Sequence, residues 1–292
     1  MRILLISSLL LLALNSTAQQ AFTYTQYTNN ISPYNSAYST INQNARVNLS
    51  GRLQWVGIEG APTSYMLNGS LPFENINASA GLILRQDKFA VENQLNMSLF
   101  FAKSVQLNQD NFFSVSINGG FQSYKANYSQ LDAADPQFRD DINELSGTAG
   151  AAILFYSPDK YYAGVSVPSL NLSSFSQEST RIKNAFYFVG GFMQNLGDSV
   201  MLKPSVLVSY VKNIPATADI STTVYFKNIG IGASYRTTND IAATFSFLVN
   251  NLRAGYSYQT GLGSKNIGTL SNGTHELSLG LYFGKRISKF QL

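Results

Sequence analysis

The chain has 292 residues, of which 12% are charged and 13% are aromatic, and its mean hydropathy is −0.04. A soluble domain carries about 25% charged residues, so this composition favours a membrane β-barrel, in which apolar residues facing lipid alternate with polar residues facing the lumen. The absence of cysteine excludes disulfides, a cysteine zinc site and a lipoprotein anchor, and the scattered basic residues, with a net charge of +4, argue against a nucleic-acid partner.

Residues 1–18 have the form of a secretory signal peptide. Arg2 supplies the positive start, residues 3–14 form an apolar stretch, and Ser16-Thr17-Ala18 is a small-x-small cleavage site. The apolar stretch is too short for a stable transmembrane helix, which disfavours an N-terminal anchor. We therefore expect an exported chain that begins near Gln19. Residues 19–44, rich in Gln, Asn, Thr, Ser and Tyr, are expected to form an N-terminal periplasmic arm or to fold partly into the lumen.

Residues 45–292 are predicted to form an all-β, antiparallel transmembrane barrel. Apolar and polar residues alternate there in stretches of about ten residues, the length of a tilted membrane strand. About fourteen strands are predicted, and an even number suits a bacterial barrel with both termini in the periplasm. The stretches are 45–55, 65–71, 80–85, 95–101, 113–122, 147–156, 161–167, 185–193, 200–212, 222–226, 229–236, 242–249, 252–259 and 276–283. A secreted β-sandwich is the competing architecture, which the long strands, low charge and lack of a linker disfavour.

Three longer polar stretches, 126–144, 171–183 and 260–274, are expected to be loops at one rim of the barrel. They are candidates for contact with a partner or for gating, although a solvated loop is the simpler interpretation. Aromatic residues at the strand ends, such as Trp55 and Tyr156, fit the interfacial girdles of a barrel. Ordinary β-propensity explains them equally well.

The sequence offers little material for catalysis. Its one histidine, His275, lies beside Glu276 and would need a serine from a neighbouring strand to act as a base, but no serine context resembles a nucleophile motif. A polar residue at the start of the last strand is the simpler interpretation of His275. An acidic cluster in the first long loop lacks the spacing of a calcium-binding loop; its members are Asp132, Asp135, Asp140, Asp141 and Glu144. We predict no catalytic residue, no metal and no cofactor.

The most distinctive segment, residues 52–63, reads RLQWVGIEGAPT. It resembles the R-x-Q-W…G-A-P signature of the PorP/SprF family of outer-membrane proteins. Upstream, Gln26-Tyr27 and residues 35–38 resemble the family's Q-Y…N-P-A-Y, with Ser36 in place of proline, and the likeness continues downstream at 156–168, 203–205, 252–258 and 275–277. The signature residues, structural or partner-contacting, are Arg52, Gln54, Trp55, Gly57, Gly60, Pro62, His275 and Glu276.

This resemblance implies a non-catalytic outer-membrane barrel of the type IX secretion system and the gliding machinery. Such a barrel would help to secrete cargo proteins, such as gliding adhesins, and anchor them at the cell surface. Its implied partners are outer-membrane lipid, a secreted cargo or adhesin, and type IX components on the periplasmic side. The alternatives are an outer-membrane pore or transporter for small or hydrophobic solutes and, third, a lipid-modifying enzyme that uses His275.

The residues of the signature also have a physical interpretation of their own. Trp55 falls on the apolar face at a strand end, which suits a membrane interface, and Gly57, Gly60 and Pro62 predict a tight turn. Arg52 and Gln54 fall on the other face, toward the lumen, where they could bond to the N-terminal arm or a plug. Shaping of the first hairpin is the simpler interpretation.

Overall fold

The computed structural model describes residues 23–41, 44–130, 140–172, 184–197, 199–263, 267–269 and 271–284. The predicted signal peptide lies outside these residues. The described chain forms one antiparallel sheet. Its strands are β1 (Ala45–Leu53), β2 (Thr63–Phe73), β3 (Ala78–Phe89), β4 (Glu92–Gln106), β5 (Phe112–Ala126), β6 (Ile142–Ser157), β7 (Tyr161–Asn171), β8 (Ala185–Phe192), β9 (Gln194–Gly197), β10 (Val200–Val211), β11 (Thr217–Phe226), β12 (Ile229–Arg236), β13 (Asp240–Val249), β14 (Leu252–Gly261) and β15 (Thr274–Phe283).

The sheet closes on itself. Each strand pairs with the next along the chain except β8, which pairs with β10, and the sheet is closed by the pairing of β15 with β1 and of β10 with β11. β8 and β9 both pair with β10 and are separated only by Met193, so they form one interrupted strand of the wall. The result is a closed barrel of fourteen strands, which confirms the predicted fold class. No helix in the described part of the chain is long and apolar enough to cross a membrane.

The two faces of the wall have opposite character. Along β15 the outward residues Leu277, Leu279 and Leu281 are exposed, whereas the inward Glu276 is buried. Large apolar side chains thus cover the outside, and Ser, Thr, Asn and Gln fill much of the inside, as the alternation predicts. An apolar outer band with a polar interior is the surface of a barrel dissolved in lipid.

Leu279→Arg, in the middle of β15, is expected to destabilise the barrel by about 2–4 kcal/mol, because it places a charge at the bilayer midplane. Leu145→Arg, on the outer face near one end of β6, should cost only about 0–1 kcal/mol, because the charge lies near the interface. Unfolding in lipid vesicles measures both. Equal costs would mean that the outward face of β15 is not buried in the membrane.

The connections between strands differ in length at the two ends of the barrel. The long ones, 54–62, 127–141, 172–184 and 262–273, all join strand ends at the same end of the barrel, which we name the long-loop rim. This agrees with the three predicted loops, although much of two of them (131–139 and 173–183) lies outside the described residues. The other end, the short-turn rim, has brief turns such as 158–160, 227–228 and 250–251, and β1 starts there.

Residues 23–41 lie inside the barrel, and we name them the plug. They contain two short 3-10 turns, Thr25–Asn29 and Ser36–Thr40, and all but Asn29, Pro33, Thr40 and Ile41 are buried. The plug begins near the long-loop end of β11 and leads down to the short-turn rim, where β1 begins. Residues 23–41 therefore lie in the lumen, which is one of the two placements that the sequence left open, and they do not form a periplasmic arm.

Candidate functional site

The plug is bonded to the wall on every side. Its polar side chains and backbone form hydrogen bonds to strands all around the barrel. Most of these bonds go to inward-facing polar side chains, in the pairs Ser32 with Arg46, Asn30 with Asn68, Ser36 with Ser116, Tyr34 with Ser166, Thr28 with Lys203, Tyr27 with Ser221 and Thr25 with Gln259. Asn35 instead donates to the backbone carbonyl of Ile153. Buried polar groups need such partners, since each unpaired one costs about 1–3 kcal/mol. The segment is therefore an integral part of the barrel interior.

Aromatic residues form the apolar part of the same contact. Tyr34 of the plug meets Tyr187 of the wall edge to face at 5.4 Å, and Tyr38 meets Tyr162 at 5.3 Å. These rings belong to one buried cluster that also holds Leu154 and Leu207 of the wall, together with other plug residues. The hydrophobic core thus lies between plug and wall, inside the lumen.

An ion pair joins two residues of the signature at the start of the plug. Arg52 and Glu276 are directly opposite each other on β1 and β15, their charged groups are 3.3 Å apart, and both side chains are 1% exposed. The Glu276 carboxylate also accepts hydrogen bonds from the backbone N–H groups of Thr25 and Gln26, each at 2.9 Å. Because these N–H groups open a 3-10 turn, the carboxylate both balances Arg52 and caps the plug.

Neighbouring side chains complete this network. Arg52 donates to the Thr25 hydroxyl at 3.1 Å and to Oε1 of Gln259 at 3.0 Å. The Gln26 amide donates to the backbone carbonyl of Glu276 at 3.1 Å, and its Oε1 accepts from the Ser278 hydroxyl at 2.7 Å. We name Arg52, Glu276, Gln259, Thr25 and Gln26 the latch, because they bind the first turn of the plug to three strands.

Gly255 on β14 leaves the space that Gln26 occupies. A Cβ at this position would lie 2.2 Å from Oε1 of Gln26 and 2.6 Å from the Ser278 hydroxyl. Gly255→Val is therefore expected to destabilise the protein by about 1–3 kcal/mol through overpacking. Gly119, with no atom within 4 Å of its would-be Cβ, is the matched control, and Gly119→Val should leave the unfolding midpoint nearly unchanged. If the two variants unfold alike, the plug does not fill the lumen beside β14.

A second ion pair binds Thr23, the first described residue of the plug. Asp219 and Arg236 are directly opposite on β11 and β12 and form an ion pair. Asp219 accepts a hydrogen bond from the Thr23 hydroxyl at 3.1 Å, and Arg236 donates to the Thr23 carbonyl at 3.3 Å. The start of the plug is thus fixed between charge pairs on two sides of the lumen.

The rest of the signature shapes the loop between β1 and β2. Gln54 and Trp55 lie just past the end of β1, and the Gln54 N–H donates to the Pro62 carbonyl at 2.9 Å. Trp55 has a left-handed backbone (φ 50°), as have Gly57 and Gly60 (φ 95° and 72°). Of the two side chains expected to face the lumen, Arg52 is buried there, whereas Gln54 belongs to the loop and is half-buried.

Backbone hydrogen bonds join this loop to its neighbours at the rim. The Val56 N–H donates to the Gly273 carbonyl at 2.9 Å, and the Asn272 N–H donates back to the Val56 carbonyl at 2.8 Å. On the other side, the Ala90 N–H donates to the Gly60 carbonyl at 2.9 Å. At the long-loop rim the signature loop, which joins β1 to β2, is therefore bonded to the β3–β4 turn and to the β14–β15 loop.

His275 has a different environment from that of its neighbour Glu276. Its side chain is on the outward face, where Nδ1 is 2.8 Å from the Tyr256 hydroxyl and the ring meets Tyr258 edge to face at 5.3 Å. This aromatic group lies near the long-loop end of the wall, at a position suited to the membrane interface. Among the described residues, no group of three His, Asp or Glu is arranged to hold a metal ion.

Two residues of the latch and both members of the second ion pair were not found by the sequence reasoning. Gln259, Thr25, Asp219 and Arg236 had no motif to mark them. The available signal was a charged or amide residue at an inward position of a strand, since such a residue must find a polar partner in the lumen.

Solved barrels give the structural comparison. The outer-membrane protein Omp33 of Acinetobacter baumannii is 9% identical, with 83% of this chain and 99% of that chain covered and a TM-score of 0.47. A deletion mutant of the monoaromatic hydrocarbon channel TodX is 9% identical, with 89% and 95% covered and a TM-score of 0.50. At 9% identity the likeness to the TodX variant shows the fold alone. A comparison with curated protein sequences found no match.

The sequence itself identifies the family. Residues 16–281 match the family described as type IX secretion system membrane protein PorP/SprF. This match spans the plug, the signature loop and all fifteen strands apart from the last two residues of β15. Together with the lipid-facing barrel, it places the protein in the outer membrane, with the short-turn rim toward the periplasm. The chain belongs to the PorP/SprF family of type IX secretion system membrane proteins.

Proposed function

We propose that the protein is a non-catalytic scaffold of the type IX secretion system that helps to secrete a cargo protein and to anchor it at the cell surface. The observation that carries the proposal is the plugged lumen of a barrel from this family. Its own N-terminal segment is bonded to the wall on every side, so the surfaces left for partners are the two rims. A scaffold binds its partners at the rims, whereas a pore passes solutes through the lumen.

The long-loop rim is the surface we assign to the cargo. The signature loop is fixed there by backbone bonds to residues 272–273 and to Ala90, so it presents Trp55 and the exposed Glu59 from a rigid base. Rigid loops bind with a smaller loss of conformational entropy than free ones. The short-turn rim is then available to the periplasmic components of the system.

Deletion of the gene tests the proposal directly. We expect a particular cargo protein to disappear from the cell surface, as measured by surface labelling and by analysis of the culture medium, and the wild-type gene to restore it. A Trp55→Ala/Glu59→Ala variant should restore less display at an equal amount of barrel in the membrane. If surface display and motility persist in a strain without a paralogue, the proposal is wrong.

His275→Ala separates the scaffold from an enzyme. Its side chain lies on the outward face, bonded to Tyr256, so we expect this variant to restore cargo display fully. Loss of display, together with a lipid-modifying activity of the wild type that the variant lacks, would favour the enzymatic alternative.

A further inference from the structure

The lipid-facing surface of the wall carries charge of one sign. On the strands that the structure describes, every Asp and Glu faces the lumen, whereas three lysines face outward, namely Lys88, Lys103 and Lys125. Lys103 lies near the short-turn rim, where it donates to the backbone carbonyl of Ile76. Lys88 and Lys125 lie at the opposite end of their strands, next to the long-loop rim. The outward face of the strands near that rim is therefore positively charged.

Both of these lysines belong to one row of polar residues that crosses five strands. Directly paired positions of β2, β3, β4, β5 and β6 supply, in that order, Thr63, Lys88, Asn93, Lys125 and Asn143. Paired residues of antiparallel strands point to the same face of a sheet, so all five side chains face outward, and we name them the polar row. Because neighbouring strands are about 4.8 Å apart, the backbones of the two lysines are about 10 Å apart, with Asn93 between them.

The donors of the polar row are available to a ligand outside the barrel. Lys88 and Lys125 are exposed, and neither has a hydrogen-bond or ion-pair partner among the residues that the structure describes. Oδ1 of Asn93 accepts a hydrogen bond from the Gln86 amide at 3.1 Å, so the Asn93 side chain is held between the lysines with its nitrogen left to donate. Two cations and an amide donor on one line form a surface that attracts an anion.

Large apolar side chains follow the polar row toward the middle of the same strands. Leu82 on β3, Leu99 on β4, Phe121 on β5 and Leu145 on β6 all face outward and are exposed. This patch suits the acyl chains of a lipid, and a lysine beside it can lay its own stem along apolar surface while its ammonium group stays at the level of the headgroups. The polar row and the apolar patch together have the two-part chemistry of an anionic lipid.

We propose that the polar row binds the headgroup of a phosphorylated glycolipid in the outer leaflet of the membrane. The flexible four-carbon stems of Lys88 and Lys125 allow both ammonium groups to reach one phosphate, and Asn93 donates between them. Thr63 and Asn143, at the two ends of the row, match the hydroxyl and amide groups of a sugar. The row lies in the outer leaflet because the short-turn rim faces the periplasm. The inference goes beyond the proposed scaffold function and does not depend on it.

Native mass spectrometry of the folded barrel in detergent tests the site. Diphosphoryl lipid A is expected to give a saturable adduct of one lipid, whereas the same lipid without its phosphates should bind at least about tenfold more weakly. The double variant Lys88→Gln/Lys125→Gln should lose about tenfold or more in affinity for the phosphorylated lipid, because each basic residue near a membrane surface strengthens binding of anionic lipid several-fold. Lys212→Gln, at an exposed cation in the β10–β11 turn of the same rim, is the matched control and should bind as the wild type does.

Two further measurements keep the result decisive. Asn93→Asp retains both lysines but places a carboxylate between them, so it should also weaken binding of the phosphorylated lipid, even if the double variant fails to fold. Inorganic phosphate at the same concentration as the lipid should not displace it, since the apolar patch holds only a lipid; displacement would assign the row to free phosphate and overturn the proposal. Equal binding of the two lipids, or wild-type binding by both Asn93→Asp and the double variant, would overturn it as well.

Discussion

Removal of residues 23–41 is expected to convert a poorly conducting barrel into an open pore. Eight strands give a barrel that side chains can fill, whereas sixteen to eighteen leave an aqueous channel. A wall of fourteen strands is therefore too wide to be filled by its own side chains, and here the plug supplies the missing volume with Tyr24, Tyr27, Ile31, Tyr34 and Tyr38. In planar bilayers we expect the deletion to raise single-channel conductance about tenfold or more, as the width of such a lumen implies.

The control for this experiment is the folding of the deletion variant, checked by circular dichroism and by its heat-dependent migration on a gel.

A cross-linked plug gives the opposite test. The hydroxyls of Ser36 and Ser116 are 2.7 Å apart, so the double variant Ser36→Cys/Ser116→Cys is expected to form a disulfide that keeps conductance low. A wild-type barrel that conducts as well as the deletion variant would contradict a closed lumen and would favour the pore and transporter alternative.

The wall could be predicted from sequence because lipid and lumen impose a period of two on every strand. β12 is an example. Its predicted and observed bounds are both 229–236, because Ile229, Ile231 and Tyr235 face lipid between smaller or polar residues. β6 begins at Ile142, five residues before the prediction, since Asn143 and Glu144 are polar on both faces and hide the alternation. Where strands continue to pair beyond the apolar band, their residues do not alternate between apolar and polar, so the sequence does not reveal these strand ends.

The site was predictable only in part, for a physical reason. Arg52 and Glu276 were singled out by resemblance, but their meeting depends on the pairing of the first strand with the last, which no local pattern encodes. The plug has no periodicity, and its Gln, Asn, Thr and Tyr residues are equally compatible with a solvated arm. These residues are buried because the lumen that holds them has a polar lining. Thr25 and Gln26 therefore find hydrogen-bond partners only after the barrel has closed.

Breaking one side of the latch is expected to cost more stability than breaking an ion pair that is exposed to water. Arg52→Ala leaves the Glu276 carboxylate buried without its cation, and removal of one partner from a buried pair costs about 3–5 kcal/mol. Glu276→Ala should cost at least as much, because it leaves Arg52 uncompensated and also removes the acceptor for the Thr25 and Gln26 N–H groups. Reversible unfolding by guanidinium in detergent measures both free energies.

The exposed ion pair between Lys160 and Asp110 is the matched control. Its nitrogen and oxygen are 3.0 Å apart, but its side chains are 59% and 66% exposed. Water screens such a pair, so Lys160→Ala is expected to cost only about 0–1 kcal/mol. Similar costs for Lys160→Ala and Arg52→Ala would mean that the buried pair does not hold the barrel together.

The double variant Arg52→Met/Glu276→Gln separates the two roles of the latch. It removes both charges at once, so neither is left buried alone, and the amide side chain that replaces the carboxylate still offers an oxygen to the plug. We expect it to be more stable than either single alanine variant, because an uncompensated buried charge costs more than a neutral pair of similar size. Chymotrypsin gives an independent readout, since a released plug exposes its tyrosines to cleavage while the wall stays folded. If the double variant is as unstable as the sum of the singles, Arg52 and Glu276 stabilise the plug independently and do not act as a pair.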